Sequence, residues 1–201
     1  MFSAFIDTIK IFFIFIVIIC FLSVICSLSL NIVTILNSNE YICNSISSSY
    51  NFVWPIPEHY NISSFFGKRT SPTSGASTYH SGIDIPAPEG TKLVAVDDGN
   101  VYFASWGAGG GYTISYQLIN HPDIAISYCH VSPVFYVSIG DKIHKNQVIG
   151  TVGPKNVYGI SNNPYRDSNG NPTNGASTGS HLHFTIKVNS QAVNPLDYYS
   201  I

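Results

Sequence analysis

The stretch "GSHLHFTI", residues 179–186, puts His181 and His183 two apart in what otherwise reads as a buried strand. In an extended strand, residues two apart project to the same side, so both imidazoles face one way while Leu182 and Phe184 face the other. Two half-exposed histidines on a polar strand face are the plain alternative to a working pair, and other residues must decide between the two. "YHSGIDIPAPEG" carries His80 and Asp84, four apart. Helical spacing would put these on one face, but Gly82, Pro86 and Pro88 argue against a helix. Fully extended, they would stand about 13 Å apart, too far to share an ion whose ligand bonds are each roughly 2 Å. The segment must bend for them to meet, and Gly82 makes a bend inexpensive.

Catalytic zinc takes three protein nitrogen or oxygen ligands and keeps a fourth position open for water. His80, Asp84 and one histidine of the HLH pair make such a set, with the other histidine beside the water as a proton-transfer group. Spacing alone does not choose which of His181 and His183 binds the metal. His130 in "SYCHVS" is a further acid/base candidate, at the end of a strand that would neighbour the HLH strand; its plain alternative is an ordinary strand-end histidine. His59, His121 and His144 lack matching partners and read as surface residues.

The elements that must position these residues are strands. From Phe52 onward, short apolar runs such as "KLVAVD", "NVYFASW", "YTISYQLI", "IAISYCH", "QVIGTVG" and "HLHFTIKV" alternate with turn signals, and no long run has helical period. That pattern predicts an all-β domain of antiparallel strands. "DDGN" at 97–100 predicts a hairpin turn. "PEGTKLVAVDDGNVYFA" and "SIGDKIHKNQVIGTVG" are faintly alike, a hint of internal duplication. Residues 153–180 are almost all turn formers and too long for a usual connection, so they read either as a surface insertion or as the wall of a binding groove.

The 201-residue chain has a formal net charge of -2 and only 10% charged residues, which leaves no electrostatic footprint for nucleic acid. No charged side chain occurs from Ile11 to Asn39, so residues 1–36 predict a single membrane-spanning anchor. Lys10 before it and Glu40 after it favour an inside N-terminus and an exported remainder. The alternative is a cleaved signal peptide ending near Ser29, which also exports the domain. Residues 37–51 read as a polar linker and 52–201 as the domain. Cys20 and Cys26 lie in the apolar segment, so only Cys43 and Cys129 remain, and the expectation for these two is free thiols.

Taken in order, "SSFFGKR", "YHSGIDIPAPEGTKLVAVDDGNV", "SYCHVS", "VSIGDKIHKNQVIGTVG" and "STGSHLHF" resemble the lysostaphin-type (LytM-type) peptidoglycan metalloendopeptidases over about residues 52–199. The resemblance implies a groove-bearing antiparallel β-sandwich and a Zn2+ enzyme that cuts peptide bonds in peptidoglycan peptides. Carried over by position, His80, Asp84 and His183 match the zinc ligands, and His181 and His130 match the catalytic histidines. Val131, Asn146 and Thr185 depart from the family's usual leucine, glycine and glutamate, and none of these removes a ligand.

Two rival functions remain. A membrane-tethered, non-catalytic scaffold or activator of other cell-wall enzymes is the first, though it has no evident use for the complete ligand and histidine set. A biotinyl- or lipoyl-type carrier is the second, but it needs a lysine at a hairpin tip, and "DDGN" carries none. The bond cut and any protein that gates the enzyme are not legible.

Overall fold

The computed structural model describes residues 21–26, 28, 29, 32 and 50–199. The chain divides into two units, Met1–Ser48 and Ser49–Ile201. In the first, residues 21–26, 28, 29 and 32 are helical, and the described large apolar side chains there, among them Phe21, Leu22 and Ile25, are exposed. Among the described residues no helix is long and apolar enough to cross a membrane. Most of the segment expected to span a bilayer, the linker up to residue 49 and Cys43 lie outside the described residues, while Cys129 carries a free thiol.

The second unit is built from strands β1 (Gly67–Lys68), β2 (Tyr79–His80), β3 (Ile83–Pro86), β4 (Lys92–Val94), β5 (Gly99–Trp106), β6 (Tyr112–Leu118), β7 (Ile124–Cys129), β8 (Lys142–Ile143), β9 (Val148–Thr151), β10 (His181–Val188) and β11 (Gln191–Val193). All of their pairings are antiparallel. The main sheet runs β11-β10-β7-β6-β5-β8, with β3 also paired to β10, while β1-β2 and β4-β9 form two smaller sheets. Alternation decides which side of the main sheet is core. Leu182, Phe184 and Ile186 of β10 are fully buried, and the register aligns Phe184 with Tyr128 and Ile114, and Ile186 with Ile126 and Tyr116.

The opposite face carries polar rows, His183-Cys129-Thr113 and Thr185-Ser127-Ser115, which form the floor of a hollow. The second layer behind the core is β4-β9 with irregular chain, so the sandwich is lopsided. Two buried tyrosines tie the layers: the Val96 amide donates to the Tyr116 hydroxyl at 2.9 Å, and the Tyr128 hydroxyl donates to the Val94 carbonyl at 2.7 Å. Each bond satisfies a polar group that the core would otherwise strand.

The hairpin expected at "DDGN" does not form, because β4 pairs with β9 and β5 with β6 and β8. Asp97 and Asp98 instead carry the chain from one sheet to another. Gly99 serves a close approach: a Cβ there would stand 2.4 Å from the Tyr116 ring. The faint internal likeness has a physical counterpart in this strand exchange. The Gly90 amide donates to the Val152 carbonyl and the Val152 amide to the Thr91 carbonyl, just as the Gly140 amide donates to Val101 and the Val101 amide to Asp141.

Residues 153–180 form a packed wall rather than a loose insertion. Asn163, Thr173 and Asn174 are buried, and the Asp167 carboxylate accepts the Asn169 and Asn171 amides at 3.0 and 2.9 Å. Asn174 is the main tie. Its Oδ1 accepts the Tyr112 amide at 2.9 Å, its Nδ2 donates to the Val131 carbonyl at 3.0 Å, and the Ala176 amide donates to the Gly109 carbonyl just beyond it. Gly111 (φ 62°) and Gly175 (φ 70°) pass so close to this junction that a Cβ on either would come within 2.2 to 2.3 Å of it.

Candidate active site

Every histidine singled out for chemistry is held by an identifiable element. β10 runs between β7 and β3, and its register sets His183 directly opposite both Asp84 and Cys129. His80 sits on β2, and the chain bends through Ser81 and Gly82 to bring Asp84 back beside it. The bend expected at Gly82 is present, for a steric reason: a Cβ at residue 82 would stand 2.2 Å from the Phe184 carbonyl oxygen. Glycine lets the chain cross β10 closely enough to complete the cluster. His130 follows β7 in a left-handed conformation (φ 60°), which turns its ring back over the site.

His80 Nε2, Asp84 Oδ1 and His183 Nδ1 lie 3.1, 2.9 and 2.9 Å from one another. Donors bonded to one tetrahedral ion at about 2.0–2.2 Å stand about 3.3 Å apart, so the three fit a single metal ion with little adjustment. The rest of the cluster prepares them for it. His80 Nδ1 faces the Phe65 carbonyl at 2.9 Å, and a carbonyl only accepts; Nδ1 therefore carries a proton, which leaves Nε2 as the ring atom turned to the cluster. His183 is turned the other way, with Nε2 on the Thr185 hydroxyl at 3.0 Å and Nδ1 toward Asp84. Burial pushes the His183 pKa down, so that ring is neutral. Burial works to raise the Asp84 pKa, but hydrogen bonding with His181, His183 and His80 outweighs it and holds the carboxylate well below its usual range. One carboxylate oxygen and two imidazole nitrogens facing a common point suit a cation.

Two further histidines flank this point. His181 shares the face of His183, as the alternation requires, with Nε2 3.5 Å from Asp84 Oδ1 and Nδ1 held by the Gly179 carbonyl at 2.9 Å. The His130 ring lies 4.7 Å from the His181 ring, centroid to centroid, with Nδ1 held by the Asn174 carbonyl at 2.7 Å. Burial, and after it the neighbouring His181 and His183, push the His130 pKa down to about 3. Its ring is neutral, with Nε2 able to accept a hydrogen bond. Of the histidines read as surface residues, His144 is exposed, whereas His59 and His121 are half-buried, His121 against the Tyr50 ring.

Arg69 is the site residue that sequence reasoning missed. Its Nη1 donates to Asp84 Oδ2 at 3.1 Å and to Ser64 Oγ at 2.6 Å, which leaves Oδ1 for the histidines. Nothing in its spacing announced this, because the contact arises where Ser63 and Ser64 bond along the free edge of β3. The buried Arg69 Nε has no partner, so the guanidinium is held there at some cost. Arg69→Met is expected to weaken metal binding roughly 10- to 100-fold, as loss of a ligand's outer partner typically does, in competition with a chromogenic chelator. Unchanged affinity would reduce Arg69 to a packing role. The cluster lies where a hollow of about 510 Å³ over the polar rows meets a second of about 370 Å³; Arg69, His130, Ala176 and His183 line both.

Residues 78–166 match peptidase family M23, an interval that holds His80, Asp84 and His130 and ends before the HLH strand. The chain is 33% identical over 135 residues to the DD-carboxypeptidase/endopeptidase Mpg of Neisseria meningitidis, covering 67% of this chain and 26% of that protein. It is 31% identical over 134 residues to the peptidoglycan DD-endopeptidase ShyC of Vibrio cholerae, covering 66% and 26%. It therefore spans about a quarter of the length of these relatives. Among solved structures, the catalytic domain of the antimicrobial peptidase lysostaphin from Staphylococcus simulans is similar at a TM-score of 0.54 and 26% identity, covering 69% of this chain and 91% of that one. Sequence and fold thus agree, and the chain belongs to peptidase family M23, of the lysostaphin (LytM) type.

Proposed function

We propose that this chain is a zinc metalloendopeptidase that hydrolyses peptide bonds in peptidoglycan stem peptides or cross-bridges. The observation that carries the reading is the convergence of His80 Nε2, Asp84 Oδ1 and His183 Nδ1 within hydrogen-bond distance of one another, with the hollows open on either side. Two imidazole nitrogens and one carboxylate oxygen suit zinc. The relatives named for peptidoglycan endopeptidase activity support the substrate class.

When bound, zinc would act as a Lewis acid on the scissile carbonyl and make water a nucleophile near neutral pH. His181 and His130, each with Nδ1 on a main-chain carbonyl, present Nε2 beside the cluster. Those nitrogens accept a proton from attacking water and, once protonated, donate to the developing oxyanion and the leaving amine. Thr185 and the Phe65 carbonyl keep the two ligating rings from rotating. The complete set of ligands and flanking histidines favours catalysis over the scaffold reading.

Purified full-length protein is expected to carry one zinc per chain and to release dye from labelled peptidoglycan, while His181→Ala keeps the zinc and loses release. Bound zinc without release would favour a scaffold or a partner-activated enzyme; absence of zinc would sink the reading. We further propose that residues 1–36 anchor the chain in the cell membrane, N-terminus inside, with residues 37–51 as linker and 52–201 as the catalytic domain outside. The protein is then expected in the membrane fraction after a carbonate wash. Recovery of the mature chain free in the medium would point instead to a cleaved signal.

A further inference from the structure

Past the metal cluster, the larger hollow continues along β10. His183, Thr185 and Lys187 alternate onto its floor, with the Ser115-Ser127 hydroxyl pair, 2.8 Å apart, beside Thr185. Among the described residues, no Asp or Glu lines this hollow. Its two cations differ in what holds them: Arg69 is committed to Asp84, whereas among the described residues no carboxylate forms an ion pair with the Lys187 ammonium. Asp123 lines an adjoining hollow together with Tyr102 and Lys187 and does not pair with it either. Tyr102, half-exposed, flanks Lys187 in both hollows.

An ammonium placed at the end of a neutral, hydroxyl-lined groove is electrostatically incomplete. We infer that Lys187 anchors a free carboxylate of the peptide substrate, so that the groove selects acidic over amidated peptides; the inference rests on the peptidase reading above. Lys187 stands four residues beyond His183, about 13 Å along the strand. An extended peptide lying along β10 spans that distance in roughly four residues, so the carboxylate sits that far from the scissile bond. Charge-assisted pairing in a groove with few competing charges gives specificity to an otherwise uncharged hydrogen-bonding floor.

The test uses full-length protein and cross-linked disaccharide-peptide dimers freed from purified sacculi by a muramidase. The dimers are supplied either with free carboxylates or after carbodiimide-driven amidation. The wild-type chain is expected to show kcat/KM at least about tenfold higher for the acid dimers, mainly through KM. Lys187→Gln brings the two dimers to the same kcat/KM, and Lys187→Arg keeps the preference. Binding of both dimers to His181→Ala and to its combination with Lys187→Gln, followed by calorimetry, reads the same preference without turnover. Equal affinity of His181→Ala for acid and amidated dimers, or a preference that survives Lys187→Gln in a variant of unchanged Tm, overturns the carboxylate anchor. Absence of cleavage by the wild-type chain overturns the peptidase reading instead, and the binding arm still decides the anchor.

Discussion

His183→Ala is expected to empty the metal site and to lower peptidoglycan release by about a thousandfold or more, the several kcal/mol of barrier lowering that metal catalysis supplies. Two ligands would remain, on strands that no longer present a third donor opposite Asp84. The paired comparison is His181→Ala, on the same strand face two residues away, which leaves His80, Asp84 and His183 as a complete set. Zinc content by atomic emission, read beside activity, separates the two: zinc and release lost together for His183, zinc kept and release lost for His181. The reverse pattern would exchange the roles of the HLH pair. His144→Ala is the control, since that ring is exposed and pairs only loosely with Asp98 at 3.7 Å. It should change neither readout.

The second large effect is expected from a residue that binds neither metal nor water. Asn174 is fully buried, and both ends of its side chain are spent on main-chain groups of other segments, the Tyr112 amide and the Val131 carbonyl. Asn174→Ala leaves both without a partner. At about 1–3 kcal/mol for each stranded buried group, the loss is roughly 2–6 kcal/mol, which corresponds to a fall in Tm on the order of 10 °C. Activity should fall further than stability explains, because the Asn174 carbonyl also holds the His130 ring. Calorimetry together with release at a temperature where the variant is folded distinguishes the two contributions. A variant that melts like wild type would mean that water replaces the amide without loss.

How much of this was legible in sequence depends on the range over which each feature is decided. The face shared by His181 and His183 follows from strand alternation alone, and the same alternation puts Thr185 and Lys187 on the groove floor. The meeting of His80 with Asp84 needed only a bend, and Gly82 announced it. What sequence misread was decided across the fold. "DDGN" has hairpin chemistry, yet its flanking strands find better partners in β8 and β9, so the turn residues serve a crossing between sheets. Arg69 and Asn174 act on segments 15 and 62 residues distant, at Asp84 and Tyr112, and no local pattern encodes such a reach. The choice between His181 and His183 depends on register against β3, which pairing sets and spacing does not.

Three of the site's imidazoles, His80, His130 and His181, fix their Nδ1 protons on the carbonyls of Phe65, Asn174 and Gly179, all main-chain atoms. A carbonyl belongs to whichever residue occupies the position, so substitution at 65 or 179 that preserves the backbone path leaves the tautomers as they are. The orientation of these rings is thereby insulated from sequence drift around them. The side chains that line the groove can change while these three rings keep their orientation.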